Sequence, residues 1–183
     1  MIKYLGSKRT LVPVLNKLAL ASRAKTALDL FTGTTRVARG FKEHGLRVTA
    51  VDTASYSHVF AKTWIELDAR ASNNRELDDA LGYLSSLKPE AGYFTQTFCL
   101  DARYFQPKNG ERVDAMRNAI EASYKGSWLY EPLLAALILA ADRVDSTTGI
   151  QMAYLKQWAR RSSNALELQN PGLIPGEGRA ILG

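Results

Sequence analysis

The spacing of apolar residues changes period several times along the chain, and each change predicts an element. Between Thr10 and Ser22, Leu11, Val14, Leu15 and Leu18 recur at helical spacing, with Pro13 admissible only in the first turn. Thr26-Ala27-Leu28-Asp29-Leu30-Phe31 is a short apolar run with one carboxylate; the turn Thr32-Gly33-Thr34-Thr35 and a helical stretch from Arg36 to His44 follow it. Gly45 is placed to close that helix, and Arg47-Val48-Thr49-Ala50-Val51-Asp52 repeats the strand pattern, again ending on an acid. A strand, a helix and a strand in so few residues predict a right-handed crossover between two parallel strands.

A helix is expected from near Ser55, with Val59, Phe60, Trp64 and Leu67 near helical spacing, then a charged helix from Arg75 to Leu87. There the crossover rhythm stops. Tyr93 to Phe98 and Leu100 to Phe105 read as short extended pieces. Lys108 to Tyr124 sets Val113, Met116, Ile120 and Tyr124 on one face, Glu131 to Val144 is apolar almost all round, and Met152 to Arg161 predicts a further helix. Asn170-Pro171-Gly172 and Pro175-Gly176-Glu177-Gly178 break the chain, and Arg179 to Gly183 resembles the opening of a third parallel strand. The fold class predicted is α/β: a partial parallel sheet with a mainly helical region. A parallel sheet needs both faces covered and several paired strands, so a larger domain or a partner is expected to complete it. The alternative is a mostly helical domain whose small sheet ends naturally.

Composition narrows the class. With 183 residues, 46% of them apolar and 23% charged, the chain can build a core, which excludes a disordered, collagenous or coiled-coil protein. A single cysteine, Cys99, excludes an internal disulfide and a cysteine metal cluster, and His44 and His58 are too far apart in sequence for a metal pair. His44, His58, Trp64, Trp128 and Trp158 are read as structural. The longest uncharged apolar run, Pro132 to Ala141, is far short of the ~20 residues a bilayer span requires. The N-terminus has no apolar signal region, so a cytoplasmic protein is expected. The net charge is +6, and it is unevenly placed: the first 50 residues carry ten Lys and Arg against two acids, whereas residues 51–101 carry four against eight. A basic excess of this kind favours a polyanionic partner, although solvated basic surfaces are also common.

In open parallel sheets ligands sit beyond the carboxyl ends of the strands, where Asp29 and Asp52 are both predicted to stand. Gly33 lets the backbone pass close to a ligand, and the amides opening the next helix suit an anionic group. Asp52 lies 19 residues beyond Gly33, the spacing at which an acid accepts both ribose hydroxyls. The full Gly-x-Gly-x-x-Gly pattern is missing, with Thr35 where a second glycine would stand, so a nucleoside attached to an amino acid fits better than a pyrophosphate. An ordinary crossover turn with two solvent-facing aspartates would share this spacing. At the N-terminus, Lys3-Tyr4-Leu5-Gly6-Ser7-Lys8-Arg9 offers an aromatic face, a flexible turn and cations just ahead of a helix, where Lys8 can pair with a carboxylate.

Taken together, Lys3 to Arg9, then Asp29-Leu-Phe-Thr-Gly-Thr-Thr, then Val51-Asp52 resemble the motif order of adenine-specific DNA methyltransferases of the alpha group. Tyr104-Phe105, Asp114 to Arg117 and Ala153 to Lys156 are similar to that family's helical region. The resemblance implies a Rossmann-like core that binds S-adenosylmethionine, with an inserted helical target-recognition region. It implies that Tyr4, Gly6, Ser7 and Lys8 hold the methionine end, that Asp29, Phe31 and Gly33 line the pocket with Asp29 near the ammonium, and that Asp52 takes the ribose. Residues 1–71 would then be the cofactor-binding part, 72–169 the recognition region and 170–183 the return to the core.

The loop Asp142 to Gly149, with Arg143, Thr147 and Thr148, and the cations Lys125, Lys156, Arg160 and Arg161 are the candidates for contact with duplex DNA. They would serve equally as a solvated helix face and an interhelical loop. Two departures stand out. Thr35 replaces the glycine usual at the end of the loop motif, which predicts a less open loop. The family's catalytic motif, Asp, Asn or Ser followed by Pro-Pro and an aromatic, occurs nowhere; Asn170-Pro171-Gly172-Leu173 lacks the second proline and the ring. The expectation is therefore a truncated portion, inactive alone, of the modification half of a restriction-modification system, with a cognate restriction endonuclease as a further partner. A catalytically dead DNA-binding or regulatory module, and a methyltransferase acting on RNA or a small molecule, are the alternatives; the missing glycines argue against a dinucleotide oxidoreductase.

Overall fold

The computed structural model describes residues 8–148 and 155–183, so Tyr4, Gly6, Ser7 and the first residues of the helix predicted from Met152 lie outside the described residues. The chain divides into two compact units, one containing 8–75 and 171–183 and the other 76–148 and 155–170.

The first unit contains α1 (Val12–Ala21), β1 (Thr26–Leu30), α2 (Arg36–Glu43), β2 (Arg47–Asp52), α3 (Ser55–Ala61) and β3 (Gly178–Leu182). Pro13 sits in the first turn of α1, as its missing N–H requires. The apolar stripe predicted for α1 is not buried: Leu11, Val14 and Leu18 face solvent, and Asn16 is the buried residue. The three strands are parallel in the order β1-β2-β3, so the segment at the end of the sequence does form the third strand. Ala27 pairs with Val48 and Asp29 with Ala50; on the other side Val48 pairs with Gly178 and Ala50 with Ala180. Strand alternation puts these residues on one face, where Val48 and Ala50 are fully buried with Ala38, Phe60 and Ile65. The other face carries Leu28 and Leu30, 60% and 56% exposed, beside the half-buried Val51 and Ile181.

Beyond α3 the chain runs into a wide π-helical turn, Lys62–Glu66. Its end is held by Lys42 of α2, only 2% exposed, whose Nζ donates to the carbonyls of Trp64 (3.0 Å), Ile65 (2.9 Å) and Leu67 (2.6 Å). β3 must open on glycine, because a Cβ on Gly178 would fall 2.4 Å from the Ile65 carbonyl oxygen. Trp64 is a core residue: its ring lies 5.0 Å from that of Phe60, the Arg39 guanidinium covers it at 4.4 Å, and Nε1 donates to the Pro171 carbonyl.

The second unit is helical, with α4 (Asn74–Ser86, which starts just before the unit), α5 (Pro107–Tyr124) and α6 (Tyr130–Val144). Leu77, Leu84, Met116, Ile120, Leu133, Ala136 and Ala140 belong to its core, which uses the predicted apolar face of α5 and the face of α6 that carries Leu133, Leu137 and Val144.

Two expectations fail here. The stretch expected to be extended from Tyr93 is helical, passing into a π-helical segment at Thr95–Asp101. The reason is Asp114 on α5, whose carboxylate accepts from the amides of Gly92 (2.9 Å), Phe94 (2.9 Å) and Thr95 (2.8 Å) and from the Thr95 hydroxyl (2.6 Å). Those are donors that the opening turn of a helix leaves without partners. Phe94 then packs on Phe98 and Phe105 with ring centroids 4.9 and 5.0 Å away. The described part of the last predicted helix is not helical either: 155–159 is irregular and Arg160–Ser163 makes a single 3₁₀ turn. Buried Asn109 fixes that path, donating from Nδ2 to the Asn164 carbonyl (2.9 Å) and accepting the Leu166 amide at Oδ1 (3.0 Å). Trp158 is accordingly half-buried rather than a core residue.

Candidate functional site

β1 and β2 end side by side with an acid on the same face of each. The connection after β1 takes a left-handed backbone three times in five residues, at Phe31 (φ 58°), Gly33 (φ 54°) and Thr35 (φ 59°). Glycine adopts this region freely; for a β-branched residue it is a strained conformation, costing on the order of 1–3 kcal/mol. Thr35, where glycine would be at ease, is held there by complete burial and by bonds from its amide to the Thr32 carbonyl (2.9 Å) and from its hydroxyl to the Thr34 carbonyl (2.7 Å). Phe31 is left 76% exposed at the rim.

The two acids hold this loop from opposite sides. Asp52 accepts the Gly33 amide at Oδ2 (2.8 Å) and the Ala54 amide at Oδ1 (2.9 Å), which ties the loop to the end of β2. Asp29 accepts the Thr32 hydroxyl (2.9 Å) and the Ala38 amide (3.2 Å), both at Oδ2. Its Oδ1 takes no hydrogen bond from the described residues. Burial raises the Asp29 carboxyl above its ordinary range, against the opposing pull of the Thr32 hydroxyl, the Ala38 amide and the Lys8 ammonium. A carboxylate that is partly desolvated and half-paired is a receptor for a cation. Thus Lys8, Asp29, Phe31, Gly33 and Asp52 are gathered at one end of the sheet. Thr32, which positions Asp29, was not singled out from sequence, although a hydroxyl three residues after an acid is a legible partner.

The candidates for DNA contact separate into two groups. Arg161 donates to Asp145 (2.6 Å) and to the Thr147 carbonyl (2.7 Å), Thr147 donates to Asp145, and Arg143 donates to the Glu167 carbonyl (2.6 Å). Thr148 is half-buried beside them. Lys156 and Arg160 are exposed. Lys125 is not brought to this loop: it follows the C-terminal end of α5, paired with Glu121, whereas Lys108 and Asn109 at the other end of that helix bond the 162–164 segment.

A parallel α/β sheet with adjacent acid-tipped strands around a glycine turn is consistent with a methyltransferase fold. The chain belongs to the D12 class of N6 adenine-specific DNA methyltransferases, whose family profile matches residues 4–177. It is similar to the modification methylase StsI of Streptococcus sanguinis, with 33% identity over 92% of this chain and 28% of that protein. It is also similar to the type II methyltransferase M.NlaIII of Neisseria lactamica (30% identity, 92% and 53%) and to M.FokI of Planomicrobium okeanokoites (26%, 92% and 29%). The chain therefore spans about half or less of the length of these curated relatives. No solved structure matches it significantly. Among the described residues, no helix is long and apolar enough to cross a membrane.

Proposed function

We propose that the chain is the cofactor-binding and target-recognition portion of a type II modification methyltransferase acting on the exocyclic amine of adenine in duplex DNA. In this reading residues 1–71 and 170–183 belong to a Rossmann-like core and 72–169 are an inserted recognition region. A restriction endonuclease of the same target specificity would be its functional counterpart.

The observation that carries the reading is Asp29, a partly buried carboxylate beside a strained glycine turn, with one oxygen unpaired among the described residues. These residues fit S-adenosylmethionine. Asp29 binds its ammonium, Lys8 with Tyr4, Gly6 and Ser7 holds the methionine end, Phe31 and Gly33 line the pocket, and Asp52 accepts the ribose hydroxyls while its own backbone bonds keep it aimed. When bound, the cofactor supplies the electrophilic methyl group. Lys156 and Arg160 meet DNA phosphates, whereas Arg143, Arg161 and Thr147 shape the loop beside them. A catalytic Asp, Asn or Ser followed by Pro-Pro and an aromatic does not occur in the sequence, so we infer that these 183 residues bind without transferring methyl.

Hydrogen exchange tests the assignment. S-adenosylhomocysteine should slow exchange of the amides from Gly33 to Ala38 and of Ala54 and leave the centre of α6 unchanged. Protection confined to the helical unit would contradict it.

A further inference from the structure

In the helical unit a cavity of about 220 Å³ opens between the turn at 102–104 and the segment 155–158. It is smaller than the ~300–1,000 Å³ typical of pockets for drug-sized ligands, so it suits one base-sized group. Its walls are braced: the Ser146 amide donates to the Tyr104 carbonyl (2.7 Å), and the Ala159 amide donates to the Ser146 hydroxyl (2.9 Å). The neighbouring cations Arg143, Arg161 and Lys108 are all engaged by carbonyls or by Asp145. Four side chains around the cavity differ. Among the described residues, Arg103, Lys156, Gln157 and the Trp158 indole N–H have no hydrogen-bond or ion-pair partner, and no carboxylate lines the cavity.

Arg103 is the most constrained of them. Its backbone is left-handed (φ 56°), a conformation uncommon outside glycine, and it carries the guanidinium over the Trp158 ring at 5.3 Å. An exposed arginine stacked on an aromatic face keeps its fork planar and pre-oriented, so little freedom is lost when it grips a second planar group. A wall of donors without acids suits a ligand rich in acceptors. In duplex DNA that ligand is the O6/N7 edge of guanine in the major groove beside a backbone phosphate.

We propose that Arg103, held by Trp158, is a specificity-determining residue that reads a guanine in the target sequence, with Lys156 on an adjoining phosphate. This rests on the reading of the chain as the recognition portion of a DNA methyltransferase. It separates two kinds of contact that a basic surface would blur, because base readout changes which sequence is bound and phosphate contact changes only how tightly.

The test is selection of sequences from a randomised duplex pool by the full chain, with thermal melts confirming that each variant is folded. The wild type should enrich a motif containing guanine. Arg103→Ala should lower the preference for one guanine about tenfold or more and leave the other positions intact, and Arg103→Lys should retain affinity without restoring that preference. Lys156→Ala should weaken all sequences equally and reduce the salt dependence of binding by about one phosphate contact. An unchanged motif in Arg103→Ala, with cofactor and DNA binding intact, would overturn this inference and leave the methyltransferase reading standing. Failure of the wild type to bind duplex DNA, or preference for RNA, would overturn both.

Discussion

A lysine that is 2% exposed needs an acceptor for each of its hydrogens, and Lys42 finds three in the carbonyls of Trp64, Ile65 and Leu67. Lys42→Met keeps most of the stem volume and leaves those carbonyls without their donor. It should destabilise the chain by about 3 kcal/mol or more in chemical denaturation, because each buried acceptor loses its partner. None of this was legible in the sequence, where Lys42 is one cation on a basic helix and its partners are backbone carbonyls more than 20 residues further on. Asp29 and Asp52 were legible, since an acid that ends an apolar run stands out from its neighbours. Thr35 was legible as a departure, but not how it is accommodated: the sequence predicts a tighter loop, and the structure holds the threonine in the backbone conformation that glycine would adopt.

The junction between α5 and the helical segment before it depends on one carboxylate. Asp114 accepts three amides and a hydroxyl, and these bonds hold its carboxyl below the ordinary range against the effect of burial. A carboxyl whose pKa is depressed on folding contributes stability that is fully present above its unfolded value, near 4, and is lost as pH falls through its folded value. Asp114→Asn should therefore be less stable than the wild type by about 2 kcal/mol at pH 7, with the gap narrowing below pH 4; a gap independent of pH would contradict this. The same contact explains why the segment from Tyr93 is helical where its sequence pattern predicts an extended piece. Its aromatic spacing of four, Phe94 to Phe98, fits a helix, but what caps the helix lies about 20 residues away in sequence. The irregular path after Leu155 depends similarly on Asn109, more than 50 residues earlier. The elements read correctly, from α1 through α4, then α5, α6 and β3, are those whose period and terminating residues are local.

At the scale of the whole molecule, two parallel strands and the opening of a third were readable from apolar runs, and all three pair. Their bare face, with Leu28 and Leu30 more than half exposed, is unusual for a parallel sheet, which is normally covered on both sides. The chain also matches relatives of which it spans 28%, 53% and 29%. In the proposed reading the acid-flanked turn at the carboxyl end of the sheet is the cofactor site, and titration calorimetry with S-adenosylhomocysteine tests that most directly. Binding is predicted for the wild type, weakened about 10- to 100-fold in Asp52→Ala and likewise in Asp29→Asn, as expected when a charged hydrogen-bonding partner is lost. No heat with the wild type, or equal affinity in all three proteins, would contradict the account.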